Sequence, residues 1–413
     1  MKKRLIAVLS LILALLMFAS CGKGTGELKK GNVKIGVVIS ADENDAYAGQ
    51  HISGINKMKS DLKLKDDKLI IKKNVTEEKC FENITALVDS GCNLIFSIGD
   101  GFEDYMVQSA TENPTVHYCV ANGTQAATSE MENLHSYSVK EFESRYVAGV
   151  AAGLKLNDLI DNGEITPSTA KIGYVGSSSG AENTSAYSAF YLGAKSVCPD
   201  VTMEVQYAGL PNNANLERIA ANALIANGNV LIAQHCYTNG SAETCQQNNV
   251  YFIGCIASAT DKAPDFAVTS VKFDWSEVYA VPVNCILNHE SVPSEWSAGS
   301  KTVGAFTIGL NEKAFASKDS FKAAEEKIKS VEKELTEEKL HVFDTSKFTV
   351  NGEKVTSTLA SENEQNAPEE QPMAPEQFVS EVEYISDSGY FKENELSSAP
   401  KFEFKIDGIN ILN

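Results

Sequence analysis

The feature that most constrains the fold is a regular alternation of short β-branched runs with longer amphipathic segments, which begins at residue 33. The run VKIGVVIS at residues 33–40 predicts a buried strand, and residues 46–61 predict a helix. Further strands are predicted at 68–73, 93–98, 115–120, 170–175, 202–207, 229–233 and 250–253, and further helices at about 77–90, 102–112, 140–156, 182–197, 214–227 and 240–248. Such alternation implies right-handed crossovers and parallel sheets. Two runs of four units therefore predict an α/β fold of two doubly wound parallel-sheet lobes, with ligand sites beyond the carboxyl ends of the strands.

The order of the units also predicts how the lobes are connected. We expect a multi-strand hinge with crossings near residues 122–140, 255–272 and 285–300. Lobe 1 should comprise residues 33–137 with about 266–296, and lobe 2 residues 138–265 with part of 297–355. The tail should contain a charged helix at about 318–338, an acidic disordered loop at 356–377 and a closing segment at 378–413, whose alternating residues 401–412 predict an edge strand.

The N-terminus predicts export rather than structure. A positive stretch, Lys2–Arg4, precedes the fourteen-residue apolar run Leu5–Phe18, and two small residues then precede Cys21. The apolar run is shorter than the roughly 20 residues that a spanning helix needs. This pattern resembles a bacterial lipobox, with Phe18 in place of the usual Leu, and implies that Cys21 is diacylated and followed by a flexible tether at residues 22–32. The expected location is the extracytoplasmic face of the cell membrane; an ordinary cleaved signal with a chance cysteine is the alternative.

Charge and cysteine content exclude several classes of protein. The formal net charge of −19 argues against nucleic acid as a partner and against a basic lipid-binding face, which leaves the lipid anchor as the expected membrane contact. Of the eight cysteines other than Cys21, most are expected to be buried free thiols, and Cys236 and Cys245 are the pair to test first for a disulfide. Neither CxxC nor HxxxH spacing occurs, so no metal site and no cofactor are predicted.

Several stretches match one known family in order and spacing. They are Asn44–Gly54 (NDAYAGQHISG), Glu143–Gly153 (ESRYVAGVAAG), Glu182 with Ala189–Ala194, and Ala263–Tyr279. From about residue 33 to the end, the chain resembles the basic membrane protein family, lipid-anchored proteins similar to type I periplasmic binding proteins that serve purine or nucleoside ABC transporters. The resemblance implies a monomeric solute-binding protein that holds a purine base or nucleoside between its lobes, works with an ABC permease and catalyses no reaction.

The expected ligand-binding residues follow strands of both lobes. Tyr47 is the favoured stacking residue because purine bases bind flat apolar faces, with packing on its own lobe as the alternative. Asp100 or Asp104 could accept a hydrogen bond from a base amino group. Lys272 resembles the family lysine that contacts a ribose or a carboxylate, with a surface lysine as the alternative, and His51 matches a family histidine that could instead pack or cap. The complete predicted set is Asp45, Tyr47, His51, Asp100, Phe102, Glu182, Tyr187, His235, Tyr237 and Lys272.

One departure from the family affects the expected ligand. Nucleoside binders of the family carry acidic residues for the ribose hydroxyls after the strand that ends at Gly254, whereas this chain has Cys255–Ser258 (CIAS). A free base or another small heterocycle therefore becomes as good a candidate as a nucleoside.

Other functions remain open from the residues. A ligand sensor would use the same closure of two lobes, and another small solute such as a sugar could occupy the cleft. Gly176–Gly180 (GSSSG) literally matches the G-x-S-x-G nucleophile elbow, but a serine-rich loop matches it easily by chance, so a hydrolase is not favoured.

Overall fold

The computed structural model describes residues 32–256, 259–299, 309–359 and 380–413. Its architecture is two six-stranded sheets in which every strand pair is parallel. The two-lobed α/β fold predicted from the alternation is therefore confirmed. The predicted signal peptide, Cys21 and residues 22–31 of the tether lie outside the described residues, as do residues 360–377 of the predicted acidic loop.

Lobe 1 contains the first sheet, with strand order β11-β5-β4-β3-β1-β2. Helical crossovers place β2 on one side of β1, and β3, β4 and β5 successively on the other side. Its elements are β1 (Ile35–Ile39), α1 (Ala46–Asp61), β2 (Leu69–Lys72), α2 (Glu77–Asp89), β3 (Leu94–Ile98), α3 (Glu103–Glu112), β4 (His117–Ala121), α4 (Thr124–Thr128), β5 (Leu134–Val139), and later α9 (Trp275–Asn288) and β11 (Glu295–Ala298).

Lobe 2 contains the second sheet, with strand order β10-β9-β8-β6-β7-β12. Its elements are α5 (Glu141–Asp161), β6 (Lys171–Gly176), α6 (Ala181–Val197), β7 (Thr202–Tyr207), α7 (Ala214–Ala226), β8 (Leu231–Gln234), α8 (Gly240–Asn248), β9 (Tyr251–Cys255), β10 (Ala267–Val271), α10 (Lys318–Thr336) and β12 (Ile409–Ile411). The predicted charged helix is α10, and the predicted closing edge strand is the short β12.

Between the helices and strands that the structure describes, the chain passes from one sheet to the other three times, after Val139, after Val271 and after Ala298. These positions fall in or at the edge of the three predicted crossing regions. The lobe boundaries differ, however, because β10 pairs with β9 in the second sheet. Residues 267–271, which the sequence assigned to lobe 1, therefore belong to lobe 2, and the return to lobe 1 begins after Val271.

Three strands were not predicted: β5, β10 and β11. In β5 (LHSYSV) the polar residues His135, Ser136 and Ser138 interrupt the apolar ones, which is unlike the continuous apolar run of the other buried strands. The structure nevertheless buries all three, because β5 lies between β4 and β11 inside the sheet. Their side chains find hydrogen-bond partners there, which offsets the cost of burying them.

The core of lobe 2 depends on close contact between α5 and α6. A Cβ atom added to Gly149 would lie 1.9 Å from the carbonyl oxygen of Phe190, and one added to Gly193 would lie 2.1 Å from that of Tyr146. Both distances are far below van der Waals contact, so only glycine permits this helix pair to pack backbone against backbone. The pairing fixes α5, whose first turn follows the first crossing, against the rest of lobe 2.

The cysteines in the described residues are all free thiols. Cys236 and Cys245 are both buried in the same apolar cluster of lobe 2, so the disulfide considered for this pair does not form. Burial raises the pKa of Cys255 to about 12. The thiols thus behave as small apolar side chains, as their strand-like surroundings indicated.

Among the described residues, the structure contains no helix with both the length and the apolar character needed to cross a bilayer.

Candidate ligand-binding site

An aromatic pair joins the two lobes at the carboxyl ends of their strands. Tyr47, in the first turn of α1, and Tyr237, in the loop after β8, have ring centroids 5.3 Å apart and ring planes 16° apart. Tyr237 is held by its own backbone N–H, which donates to the carbonyl oxygen of Pro211 at 2.8 Å. Burial and the neighbouring carboxylates of Glu182 and Glu141 raise the pKa of Tyr47. Its hydroxyl therefore stays protonated and can donate a hydrogen bond.

The start of α1 is fixed by Asp45. Its side chain accepts a hydrogen bond from the backbone N–H of Ala48 at 2.8 Å, which is the N-cap arrangement. Asp45 is therefore a capping residue in this structure. It supports the turn that carries Tyr47, and its charge is close enough to contribute to the raised pKa of that tyrosine.

His51 lies beneath Tyr47 in the interior of lobe 1. It is fully buried, packs 3.9 Å from Trp275 between ring centroids, and its Nδ1 lies 2.5 Å from the hydroxyl oxygen of Tyr279. Burial lowers the pKa of His51 to about 3, so the ring is neutral at neutral pH. The structure thus favours the alternative that its position in the helix left open: His51 packs under the tyrosine.

Lobe 2 contributes a cluster of charged groups beside Tyr237. His235 Nε2 lies 3.3 Å from Glu141 Oε1 and 3.7 Å from Glu182 Oε1. Burial lowers the pKa of His235 to about 4, although the Glu141 carboxylate opposes this, so the ring is neutral and carries one N–H donor. Arg145 is also buried; its Nε donates to Glu141 Oε1 at 2.7 Å and one terminal nitrogen donates to the carbonyl oxygen of Gln234 at 2.9 Å.

Glu182 has a different environment from Glu141. Although about half of its side chain is exposed, the surrounding protein and the carboxylates of Glu141 and Asp100 raise the pKa of Glu182 to about 7. For Glu141, burial acts in the same direction, but His235 and Arg145 outweigh it and lower the pKa. The cleft therefore contains one ionised carboxylate paired with arginine and one whose charge changes near neutral pH.

Within the described part of the chain, Glu141, Glu182 and His235 form the one group of potential metal ligands, with atoms within 4.8 Å of one another. The guanidinium of Arg145 already pairs with Glu141 in this group and would repel a second cation. The arrangement fits hydrogen bonding to an organic ligand better than metal coordination.

Asp100 is exposed at the end of β3 and lies within electrostatic range of both Tyr47 and Glu182. Asp104, the alternative acceptor, instead receives a hydrogen bond from Gln125 at 2.5 Å on the surface of lobe 1. Lys272 follows β10 on the second crossing and is partly exposed. The structure therefore brings Asp100, Tyr47, Glu182, His235 and Tyr237 into one region.

Two predicted residues do not belong to this region. Phe102 is 1% exposed and packs in the core of lobe 1, against Gly99. Tyr187 is also 1% exposed and lies in the core of lobe 2, where its hydroxyl donates to Thr184 at 3.3 Å. Both follow the correct strands, but their side chains turn inward, so neither contacts the cleft.

Three residues of the region were missed from the sequence: Gln50, Glu141 and Arg145. Gln50 Nε2 donates to the carbonyl oxygen of Ile256 at 2.7 Å, a bond between α1 of lobe 1 and the end of β9 in lobe 2. Glu141 lies two residues after β5. Ligand sites lie beyond the carboxyl ends of parallel strands, which is why Asp100 was predicted, and the same reasoning would have predicted Glu141 if β5 had been recognised as a strand. Arg145 lies inside the stretch Glu143–Gly153 that resembles the family, but this resemblance did not predict a role for it.

The two lobes have all-parallel sheets and are joined by three crossings. Aromatic and charged side chains of both lobes lie at their shared edge. These features define a two-lobed solute-binding protein. Comparisons with known proteins agree. The profile of the family described as Bmp, ABC transporter substrate-binding protein PnrA-like, matches residues 32–341. The chain belongs to this family, so it is a substrate-binding protein of an ABC transporter and not an enzyme.

Individual relatives are distant. A purine-binding protein of Brucella abortus is 28% identical over 206 residues, which are 50% of this chain and 55% of that protein. The ABC transporter nucleoside-binding protein BmpA of Lactococcus lactis is 27% identical over 243 residues, 57% of this chain and 65% of that protein. A solute-binding protein of an ABC transporter system from Conexibacter woesei has the same fold, with a TM-score of 0.60, 18% identity and coverage of 75% of this chain and 98% of its own.

Proposed function

We propose that this protein captures a purine base or a nucleoside between its lobes and delivers it to an ABC permease. The observation that carries the proposal is the Tyr47–Tyr237 pair, one ring from each lobe in nearly parallel planes. Two parallel aromatic faces suit a flat, apolar, uncharged ring system. The names of the Brucella and Lactococcus relatives, a purine-binding and a nucleoside-binding protein, favour the same ligand class.

The ring of the ligand would lie between the tyrosines. Stacked carbon atoms approach to about 3.5–4.0 Å, so two rings that enclose a third need centroids about 7–8 Å apart. At 5.3 Å, the pair must separate by a few ångströms for the ligand to enter. Since each tyrosine belongs to a different lobe, ligand entry requires relative movement of the lobes, and binding is coupled to closure.

The polar edge of the ligand would form hydrogen bonds with the polar and charged groups around Tyr47 and Tyr237. Asp100 offers acceptors to an exocyclic amino group, and Glu182, with a pKa raised to about 7, can accept or donate according to its protonation. His235 and the Tyr47 hydroxyl add donors. These groups recognise a heterocycle without the acidic residues that other family members carry after Gly254, and they support a free base equally with a nucleoside.

The proposal includes attachment to the membrane by a lipid on Cys21 and action as a monomer. A lipid-anchored protein with a flexible tether stays near its permease without a spanning helix.

A thermal-shift screen followed by calorimetry tests the function. Purines, nucleosides, pentoses, hexoses and amino acids are compared at equal concentration. We expect a purine base or nucleoside to give the largest rise in Tm and a micromolar or tighter Kd. A sugar or amino acid that outcompetes every purine would overturn the ligand class.

A further inference from the structure

The loop that carries Tyr237 is held by a carboxylate from inside lobe 2. Glu217, on α7, is fully buried, and its Oε1 accepts the backbone N–H of Thr238 at 3.0 Å while its Oε2 accepts that of Gly240 at 3.1 Å. Burial raises the pKa of Glu217, although these hydrogen bonds oppose the shift. Burial of a carboxylate is unfavourable unless its environment compensates it, and here the backbone N–H groups of the loop do so.

The same loop is held from its other side by Gln234. The side-chain amide nitrogen of Gln234 donates to the carbonyl oxygens of Cys236 at 3.0 Å and of Thr238 at 3.1 Å. Glu217 accepts the loop's N–H groups, and Gln234 donates to its carbonyl groups. Tyr237 lies between these anchor points, so the backbone that carries its ring towards lobe 1 has few alternative conformations.

We propose that Glu217 is a positioning residue for ligand binding, which fixes the Tyr237 ring in the plane needed to stack on a flat heterocycle. This inference rests on the proposed function, because it assigns the stacking surface to the same site. A ring on a rigid loop binds a ligand without the loss of conformational entropy that accompanies the ordering of a mobile loop. Glu217 thus acts on affinity through Tyr237, without contact with the ligand.

A double-mutant cycle tests this assignment. Kd for the best purine of the screen is measured for Glu217→Gln, Tyr237→Ala and the double variant, with Glu243→Gln as a control, since Glu243 pairs with Arg218 on the outside of the same helix pair. We expect Glu217→Gln to weaken binding about 5- to 20-fold, the double variant to bind no more weakly than Tyr237→Ala, and the control to be unchanged. Additive losses would overturn the proposal, because they would mean that Glu217 does not act through Tyr237.

Hydrogen exchange separates this result from failure of the proposed function. The amides of Thr238 and Gly240 should lose protection in Glu217→Gln whether or not a purine binds, and unchanged protection would overturn the proposal. If Glu217→Gln does not fold, Gln234→Ala removes the opposite anchor and should show the same non-additivity with Tyr237→Ala.

A second, independent observation concerns residues 342–413, which lie beyond the segment matched by the family profile. The described residues of this segment pack mainly on lobe 2. Phe402 stacks on Phe343 with centroids 3.9 Å apart and ring planes 11° apart, and β12 pairs with β7 at the edge of the second sheet. The aromatic side chains of this segment form part of the lobe 2 core.

The same segment also contacts lobe 1, through residues 394–398, which we call the C-terminal strap. The backbone N–H of Ser398 donates to Glu295 Oε2 at 2.6 Å, and its hydroxyl lies 2.7 Å from that of Ser136. Ser297 donates to the carbonyl oxygen of Asn394 at 3.2 Å. Ser136 is on β5, and Glu295 and Ser297 are on β11, the two strands that lead into the first and third crossings.

We infer that the C-terminal strap holds lobe 1 against lobe 2 beside the hinge and restricts opening of the cleft. Because residues 399–413 are fixed to lobe 2, rotation of β5 and β11 away from lobe 2 must break the bonds of Ser398. The strap is thus a link between the lobes that is separate from the three crossings. It favours the arrangement in which Tyr47 meets Tyr237.

A reversible cross-link tests the strap without ligand. In Ser136→Cys with Ser398→Cys, the two thiols replace hydroxyls 2.7 Å apart, within reach of a disulfide. Small-angle scattering should show a smaller radius of gyration for the oxidised double variant than for the reduced one, with both single variants unchanged by the same oxidant. Glu295→Ala with Ser398→Ala should instead increase it. Unchanged scattering in both double variants would overturn the inference.

Discussion

Gln50 and Ile256 are joined by a 2.7 Å hydrogen bond from the Gln50 side-chain nitrogen to the Ile256 carbonyl oxygen, and this bond links the lobes one helical turn from Tyr47. Ile256 has a φ of 69°, in the left-handed region that a β-branched residue rarely adopts. Such a conformation costs on the order of 1–3 kcal/mol and persists only where its surroundings impose it. The strained backbone turns a carbonyl group of lobe 2 towards lobe 1, so the contact belongs to the closed arrangement.

Replacing Gln50 should therefore strengthen ligand binding, because the arrangement that this bond stabilises holds the Tyr47 and Tyr237 rings too close together to enclose a ligand. One intramolecular hydrogen bond contributes about 0.5–1.5 kcal/mol, so Gln50→Ala should lower Kd about 2- to 10-fold. Calorimetry with the best purine measures the change. Gln125→Ala, on the surface of lobe 1, is the control and should leave Kd unchanged; an equal Kd for Gln50→Ala would show that the bond has no part in closure.

Removal of the Tyr47 ring should cost more. Stacking of a base on an aromatic ring contributes ~1–3 kcal/mol, which corresponds to about a 5- to 150-fold loss of affinity in Tyr47→Ala. Tyr47→Phe, which keeps the ring and removes only the hydroxyl, is the control and should retain most of the affinity. If Tyr47→Ala binds as tightly as the unmodified protein, the stacking site is elsewhere.

Asp100 should hold an amino group of the ligand. A hydrogen bond to a charged group contributes about 1.5–3 kcal/mol, so Asp100→Ala should weaken binding roughly 10- to 150-fold for a purine with an exocyclic amine. Purines that lack this amine should lose little. Asp104→Ala, four residues away and bonded to Gln125, tests whether any nearby carboxylate has the same effect; equal losses for both ligand types would contradict the assignment.

The pKa of Glu182, raised to about 7, predicts a pH dependence of binding. If the ionised carboxylate accepts a hydrogen bond from the ligand, binding favours the deprotonated form and releases a proton. Affinity should then rise as pH increases from 6 to 8, and Glu182→Gln should abolish the slope. If Glu182 instead donates a hydrogen bond to the ligand, binding takes up a proton and affinity falls as pH increases. Calorimetry in buffers of different ionisation enthalpy measures how many protons are exchanged on binding and whether they are released or taken up. No proton exchange near pH 7 would exclude a contact between Glu182 and the ligand.

The lipid anchor is tested at Cys21. In Cys21→Ser the acceptor thiol is absent, so palmitate label should be lost and the protein should remain unprocessed or be released. Cys80→Ser, which changes a buried cysteine of lobe 1, is the control and should keep the label. If the palmitate label persists in Cys21→Ser, the prediction that Cys21 is the lipidated residue is wrong.

Most helices and strands were predictable because each carries its own periodicity. The helix bounds at 46–61 were predicted without error, and others differ by a few residues. The missed strands show the limit of the pattern. Two polar residues of β5, His135 and Ser136, are tolerated inside the sheet because His117, Pro293 and Ser398, which lie outside this strand in the sequence, supply partners for their hydrogen bonds.

The sequence by itself determined that two parallel-sheet lobes form, that they are connected more than once, and which loops emerge at the carboxyl ends of the strands. Only the tertiary structure decided which side chains of those loops face the cleft. Glu182 and Tyr187 share one helix, but five residues turn the second about 140° from the first, so one is half exposed and the other is buried. The partnership of Tyr47 with Tyr237, 190 residues apart in sequence, likewise exists only because folding brings two independent lobes together at one edge.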